Sequence, residues 1–204
     1  MKKTIEEHAA RFDEVAGEYD DSQNDTEEYR ACVSLVVEHA DPDETERVAD
    51  LGTGTGAIAL ALADEAGEVV GRDISEGMME RAREKAAEQG VENVEFGGGR
   101  FREPNVESAD VVVSNFAMHH LSDEEKREAI EAIAELGPRK FVLGDVMFFG
   151  EPDPDEPFYS PEVDDPSTVG HLADVLTANG FVLTAVERVH EQVGVLVAER
   201  GAEN

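Results

Sequence analysis

The chain has 204 residues, enough for one domain with embellishments and for a core that requires neither disulfides nor metal. Its 17 Lys and Arg against 48 Asp and Glu leave a formal charge of −31, yet 40% of the residues are hydrophobic, too many for simple disorder. The single Cys32 excludes a disulfide scaffold and every multi-cysteine zinc pattern, and makes a reduced compartment the default.

In chain order, Ile5, Ala9, Phe12 and Ala16 recur at helical spacing and predict an amphipathic helix over 4–17. YDDSQNDT reads as a loop, and a second helix follows over 29–40 with Cys32 on its apolar side. From Arg47 short apolar runs alternate with helical ones. The reading is strand 47–51, helix 57–65, strand 68–74, helix 76–89, strands 93–96 and 109–115, helix 123–136 and strand 140–148. Continuously apolar strands alternating with helices predict a parallel sheet covered on both faces. Residues 149–166 contain five of the eight prolines and read as a long acidic loop at the carboxyl end of a strand. That edge is where open α/β sheets bind ligands, so the loop is either a cover over a substrate or an acidic surface loop. A helix over 166–179 then precedes strands 181–189 and 193–200. The link between those two strands is so short that they must pair antiparallel.

The chemistry sits in VADLGTGTGAIALALA (48–63), a strand, a glycine turn and a helix. Gly52, Gly54 and Gly56 permit positive φ and close ligand approach, and the helix start beyond them offers N–H groups. Asp73 follows Gly52 by 21 residues, at the end of the next strand, where a carboxylate can accept both ribose hydroxyls. The pattern fits either a dinucleotide or an adenosyl sulfonium. Asp50, two residues before the first glycine, would repel a pyrophosphate and accept an α-amino group, which favours S-adenosylmethionine.

The DLGTGTG loop, GRDISEGMMERAREK and VVVSNFAMHHLSDEEK resemble class I S-adenosylmethionine-dependent methyltransferases over most of the chain, and FDEVAGEYDD (12–21) is similar to the lid opening of the small-molecule members. The resemblance implies a Rossmann-like α/β fold: a seven-stranded, mostly parallel sheet of order 3-2-1-4-5-7-6 with strand 7 antiparallel and helices on both faces. It divides one domain into an N-terminal helical lid (1–45), a cofactor-binding core (46–148), the Pro-rich loop (149–166) and a C-terminal helix with hairpin (167–204). By motif position, Asp50, Gly52, Gly54 and Gly56 would face the methionine moiety, and Asp73 with Ile74 the ribose. Arg100 and Phe101 would face the adenine, and Asn115 and Phe116 would flank the sulfonium and the methyl acceptor. Phe12 and Tyr19 are further aromatic walls for cofactor or substrate.

Two departures stand out. Arg100 occupies the place where the family carries an acidic acceptor for the adenine amino group, and a guanidinium has no acceptor to offer, leaving backbone groups or Glu103 to substitute. GPRK (137–140) replaces the usual K-P-G-G turn. For an acceptor that must lose a proton, His119 or His120 is the best placed base, with His119 and Asn115 the leading catalytic candidates. A packing turn before the Ser122/Glu125 helix start is the plainer reading of the His pair. His171 reads as a helix residue, and no His, Asp and Glu cluster shows metal spacing.

The expected partner is a small methyl acceptor, partly apolar to match the N-terminal helices; a homodimer stays open. The negative charge disfavours nucleic acid and resembles the hydrated acidic surface of a halophile's cytoplasmic protein. MKKTIEEHAARF turns acidic before a signal-peptide core could form, and no run of 18 apolar residues occurs, so a cytoplasmic chain without membrane partners is expected. Two alternatives remain: a methyltransferase-like protein that binds an S-adenosyl ligand without turnover, and an NAD(P)-dependent reductase.

Overall fold

The computed structural model describes residues 4–16, 26–151 and 157–201. Tyr19 and the end of the FDEVAGEYDD segment lie outside the described residues. Helix α1 (Ile5–Val15) starts on a capping box in which Thr4 and Glu7 exchange hydrogen bonds, and α2 (Glu27–Ala40) is capped by Thr26. There follow β1 (Arg47–Leu51), α3 (Ala57–Leu62), β2 (Glu68–Asp73), α4 (Glu76–Gln89), β3 (Val94–Gly98) and β4 (Val111–Asn115). A 3-10 turn (Met118–His120) leads into α5 (Asp123–Glu135), and β5 (Lys140–Phe148) follows. The chain closes with β6 (Ser167–Thr168), α6 (Val169–Ala178), β7 (Phe181–His190) and β8 (Val193–Arg200).

Seven strands form one sheet in the order β3-β2-β1-β4-β5-β8-β7, and the two-residue β6 pairs with the end of β5 off this path. Without β6, this is the order 3-2-1-4-5-7-6. Strands β1 to β5 run parallel, while β8 is antiparallel to both β5 and β7. The hairpin is thus as expected, with only Glu191 and Gln192 between its strands.

Successive residues of a strand point to opposite faces, so apolar runs supply two cores at once. Val48, Val69, Val111 and Val142 pack with Cys32 and Val36 of α2, Ile58 and Leu62 of α3, and Met79 and Ala82 of α4. Their neighbours Ala49, Val70, Val112 and Leu143 face Ile130 and Ile133 of α5 and Leu172 and Leu176 of α6. Each fully buried Val, Leu or Ile contributes about 1.5–3 kcal/mol.

Boundaries differ from expectation where a side chain caps. Thr26 accepts from the Tyr29 N–H, so α2 begins earlier. Thr168 accepts from the His171 N–H, so the helix expected over 166–179 begins at Val169, and Ser167–Thr168 extend along β5 instead. Among the described residues no helix is long and apolar enough to cross a membrane.

Candidate functional site

The carboxyl ends of β1, β2 and β4 open onto a cavity of about 200 Å3, roofed by α1 through Ile5, His8 and Phe12. The glycine bend after β1 forms its floor. Gly52 and Thr53 both donate backbone N–H groups to the Arg72 carbonyl, at 2.8 and 3.0 Å, which fastens the bend to β2. Gly52 holds φ +74°, and a Cβ there would lie 2.5 Å from that of Ala117. Gly54 holds φ +53° with nothing among the described residues within 4 Å of a Cβ, so its bare backbone faces the cavity.

Two carboxylates brace the bend from beneath. The Thr53 hydroxyl donates to Asp50 Oδ2 at 2.7 Å. Burial pushes the Asp50 carboxyl up to about 7, against the opposing pull of hydrogen bonds from Thr53 and the Ala59 amide. Asp73 accepts from the Gly54 N–H at Oδ2 (2.8 Å) and from the Ser75 N–H at Oδ1 (2.9 Å). Burial raises its carboxyl above the usual range, despite those bonds. Above it, Asp13 of α1 accepts from the Ser75 hydroxyl at 2.6 Å and the Gly77 N–H at 3.0 Å, which pins the roof to the start of α4.

Asn115 and Phe116 end β4 on the opposite wall. Both polar atoms of the Asn115 carboxamide are buried without a hydrogen-bond partner among the described residues. Such atoms normally find one, because leaving each unpaired costs about 1–3 kcal/mol. Gly144 leaves room for this side chain, since a Cβ on it would sit 2.3 Å from Asn115 Oδ1. Phe116 holds φ +51°, a left-handed conformation that a bulky residue adopts only where its surroundings fix it. Its N–H donates to the Gly144 carbonyl at 2.8 Å, and its ring lies 5.4 Å from Tyr29 and 6.5 Å from Phe158 of the Pro-rich loop.

Of the sequence candidates, Asp50, Gly52, Gly54, Asp73, Ile74, Arg100, Phe101, Asn115 and Phe116 line the cavity. Gly56 does not. It starts α3 with φ +82°, and a Cβ on it would meet Phe96 and Ala82, so its bareness serves packing. Arg100 is half exposed and pairs with Glu6 of α1 at 3.5 Å, while its backbone exchanges hydrogen bonds with Glu103.

The two histidines part company. His119 is buried behind the wall, its N–H and Nδ1 held by Asp145 at 2.9 and 2.6 Å; His120 lines the cavity, with Nδ1 2.7 Å from Asp164 Oδ1. The imidazole of His119 is raised: burial lowers it most, but the charge and hydrogen bond of Asp145, with Asp164, outweigh that. Burial and the neighbouring His119 bring His120 down to about 4, leaving it neutral. Burial raises Asp164, yet its bond to His120 and the charge of His119 carry it below the usual range. Contrary to the sequence reading, His119, His120 and Asp164 do cluster at metal-ligand spacing. Asp145 and Asp164 carried no local signal, lying 26 and 44 residues from their partners.

A family profile described as methyltransferase domain matches residues 48–137. The uncharacterized methyltransferase YcgJ of Bacillus subtilis is 35% identical over 118 residues, 55% of this chain and 46% of that protein. An uncharacterized methyltransferase of Bacillus pumilus is 31% identical over 150 residues, 70% of this chain and 68% of that protein. The chain thus spans about half the length of the first relative and two thirds of the second. Among solved structures, the DhpI–SAH complex aligns with a TM-score of 0.75 at 21% identity, covering 98% of both chains. The [4+2]-cyclase SpnF aligns at 0.81 and 16% identity over 99% of this chain and 98% of that one. The likeness to these structures is one of fold. With its sequence relatives and matching profile, the chain belongs to the methyltransferase-domain family.

Proposed function

We propose that the chain is an S-adenosylmethionine-dependent methyltransferase acting on a small molecule by in-line transfer. The observation that carries this reading is Asn115, a buried carboxamide whose donor and acceptor find no partner among the described residues, on a cavity whose other wall presents Gly54 and Asp73. Those features fit the cofactor. Gly54 leaves space where a side chain would stand, and Asp73, with about four acceptor sites on its two oxygens, keeps capacity for a ribose hydroxyl beyond its bonds from the Gly54, Ser75 and Ile74 N–H groups. Asp50, held by Thr53, is the acceptor for an α-amino group. Ile74 and Phe101 offer apolar surface to the adenine, and Glu6 draws the Arg100 guanidinium toward α1.

When bound, the cofactor supplies an electrophilic methyl group on a sulfonium. The chain's own contribution is alignment and exclusion of water, which lower such a barrier without covalent help. Asn115 and Phe116 border the reacting end, and His8, Phe12, Tyr29 and His120 enclose the acceptor. That mixture of aromatic and imidazole surface suits a small, partly apolar acceptor, and the net charge of −31 opposes a nucleic acid. His120 replaces His119 as the imidazole facing the acceptor. Family membership removes support from the nicotinamide alternative.

A second reading, a binder without methyl transfer, draws on Arg100 in the adenine position and on a cyclase sharing the fold. One experiment separates the two: incubation with S-adenosylmethionine and fractionated small-molecule extract, followed by mass spectrometry. The proposal expects S-adenosylhomocysteine together with a product heavier by one methyl group. Tight binding without either, across all fractions, would favour the binder.

A further inference from the structure

Behind the acceptor end of the cavity, two chain segments bring three ligating side chains together. His119 and His120 come from the 3-10 turn after β4, and Asp164 from the loop after β5. One ligand atom from each lies within 4.8 Å of the other two. His120 Nδ1 is 2.7 Å and His119 Nε2 is 4.0 Å from Asp164 Oδ1. Metal bonds of 2.0–2.2 Å in a tetrahedron hold neighbouring ligand atoms about 3.3 Å apart, a spacing these two distances bracket.

The surroundings are those of a prepared site. Asp145 fixes His119 through both Nδ1 and the backbone N–H, the carboxylate–histidine arrangement that leaves Nε2 as the ligating atom. Asp164 is held through Oδ2 by the Ser160 N–H, and Asp164 and Asp145 together supply two negative charges for a divalent ion. The neighbouring Lys126 directs its ammonium to the carbonyls of Leu121 and Asp165. His120 lines the cavity, and His119 and Asp164 lie just behind that wall.

We propose that His119, His120 and Asp164 bind a divalent transition metal of imidazole preference, Zn2+ foremost, with its open position toward the acceptor. Two imidazoles, one carboxylate and one open position are the donor set of catalytic zinc. Resting on the methyltransferase reading, this narrows the acceptor to a hydroxyl or thiol compound. Coordination acidifies that O–H or S–H and its proton leaves to water. The oxygen or sulfur lone pair then bonds to the methyl carbon as the carbon–sulfonium bond breaks, and that electron pair returns to the cofactor sulfur.

The test needs neither cofactor nor acceptor. The full chain, stripped with a chelator and kept in about 1 M KCl to screen its acidic surface, is titrated with Zn2+ by calorimetry and with Co2+ by visible absorption. One ion per chain is expected, with the intense d–d bands of a four- or five-coordinate Co2+. Asp164→Asn and His120→Gln should each weaken binding at least 100-fold while circular dichroism stays native, and His171→Gln should leave it unchanged. Weak binding of several ions, octahedral Co2+ spectra, or equal affinity in folded Asp164→Asn would overturn the site and leave only hydrogen-bonded His and Asp pairs. Because no S-adenosyl compound enters this titration, its failure would leave the methyltransferase reading standing.

Discussion

The Gly54 amide donates to Asp73 Oδ2 at 2.8 Å, joining the bend after β1 to the end of β2 across 19 residues. The bond fixes the bend against the carboxylate that faces the same cavity. Floor and wall of the proposed cofactor site are therefore one hydrogen-bonded unit. Asp73→Asn replaces an acceptor with a donor beside an N–H, at a cost of about 1–3 kcal/mol. Affinity for S-adenosylhomocysteine should fall roughly 10- to 100-fold by calorimetry, and unchanged affinity would separate Asp73 from the ligand.

Gly52 and Gly54 should fail in different ways when changed to Ala. At Gly52 the new methyl collides with Ala117 at positive φ, so the fold should lose about 1–3 kcal/mol. At Gly54 no atom of the described residues lies within 4 Å of the new methyl, which enters the cavity, and strain of about 1–2 kcal/mol remains. Denaturant melts and ligand titrations should therefore rank the variants in opposite orders. The same ranking in both assays would contradict the assignment of Gly54 to the ligand surface.

Asp50 should couple pH to stability and to binding with opposite signs. Its carboxyl rises from 3.8 to about 7, so in that interval the folded chain keeps a proton that the unfolded chain has lost. The stability it contributes is complete below about pH 4 and disappears as pH rises through 7, on the order of 4 kcal/mol in all. An ammonium group on the ligand needs the ionised form, so affinity should climb from about pH 6 to 8. Asp50→Asn should flatten both slopes; parallel profiles for variant and wild type would exclude Asp50 as their source.

The charge of −31 predicts stabilisation by salt. Mutual repulsion among surplus carboxylates falls as the Debye length shrinks from about 10 Å at 0.1 M to 3 Å at 1 M. The thermal midpoint should rise by several degrees between about 0.1 and 2 M KCl, and a flat or falling midpoint would show that repulsion is not limiting.

The strands were legible because buried parallel strands read as unbroken apolar runs, and β5 and β8 begin and end where those runs do. Gly52, Gly54 and Asp73 were legible because a single β-α-β unit fixes their spacing. The histidines were not. In a 3-10 turn adjacent side chains diverge by about 120°, so His119 goes into the protein and His120 to the cavity, an outcome settled by what packs behind them. Asp145 and Asp164 meet them only once β5 lies beside β4 and the Pro-rich loop folds back, and nothing local in sequence encodes that closure. The start of α6 was misread because Thr168, a helix cap, resembles a helical residue until its extended backbone is seen.

The cavity between Gly54, Asp73 and Asn115 is the place proposed to receive the adenosyl sulfonium. Calorimetric titration of the purified chain with S-adenosylmethionine tests this directly. One saturable site per chain is predicted, with a dissociation constant on the order of micromolar. No heat up to about 1 mM ligand, or equal binding after Asn115→Ala and Asp73→Asn, would contradict it.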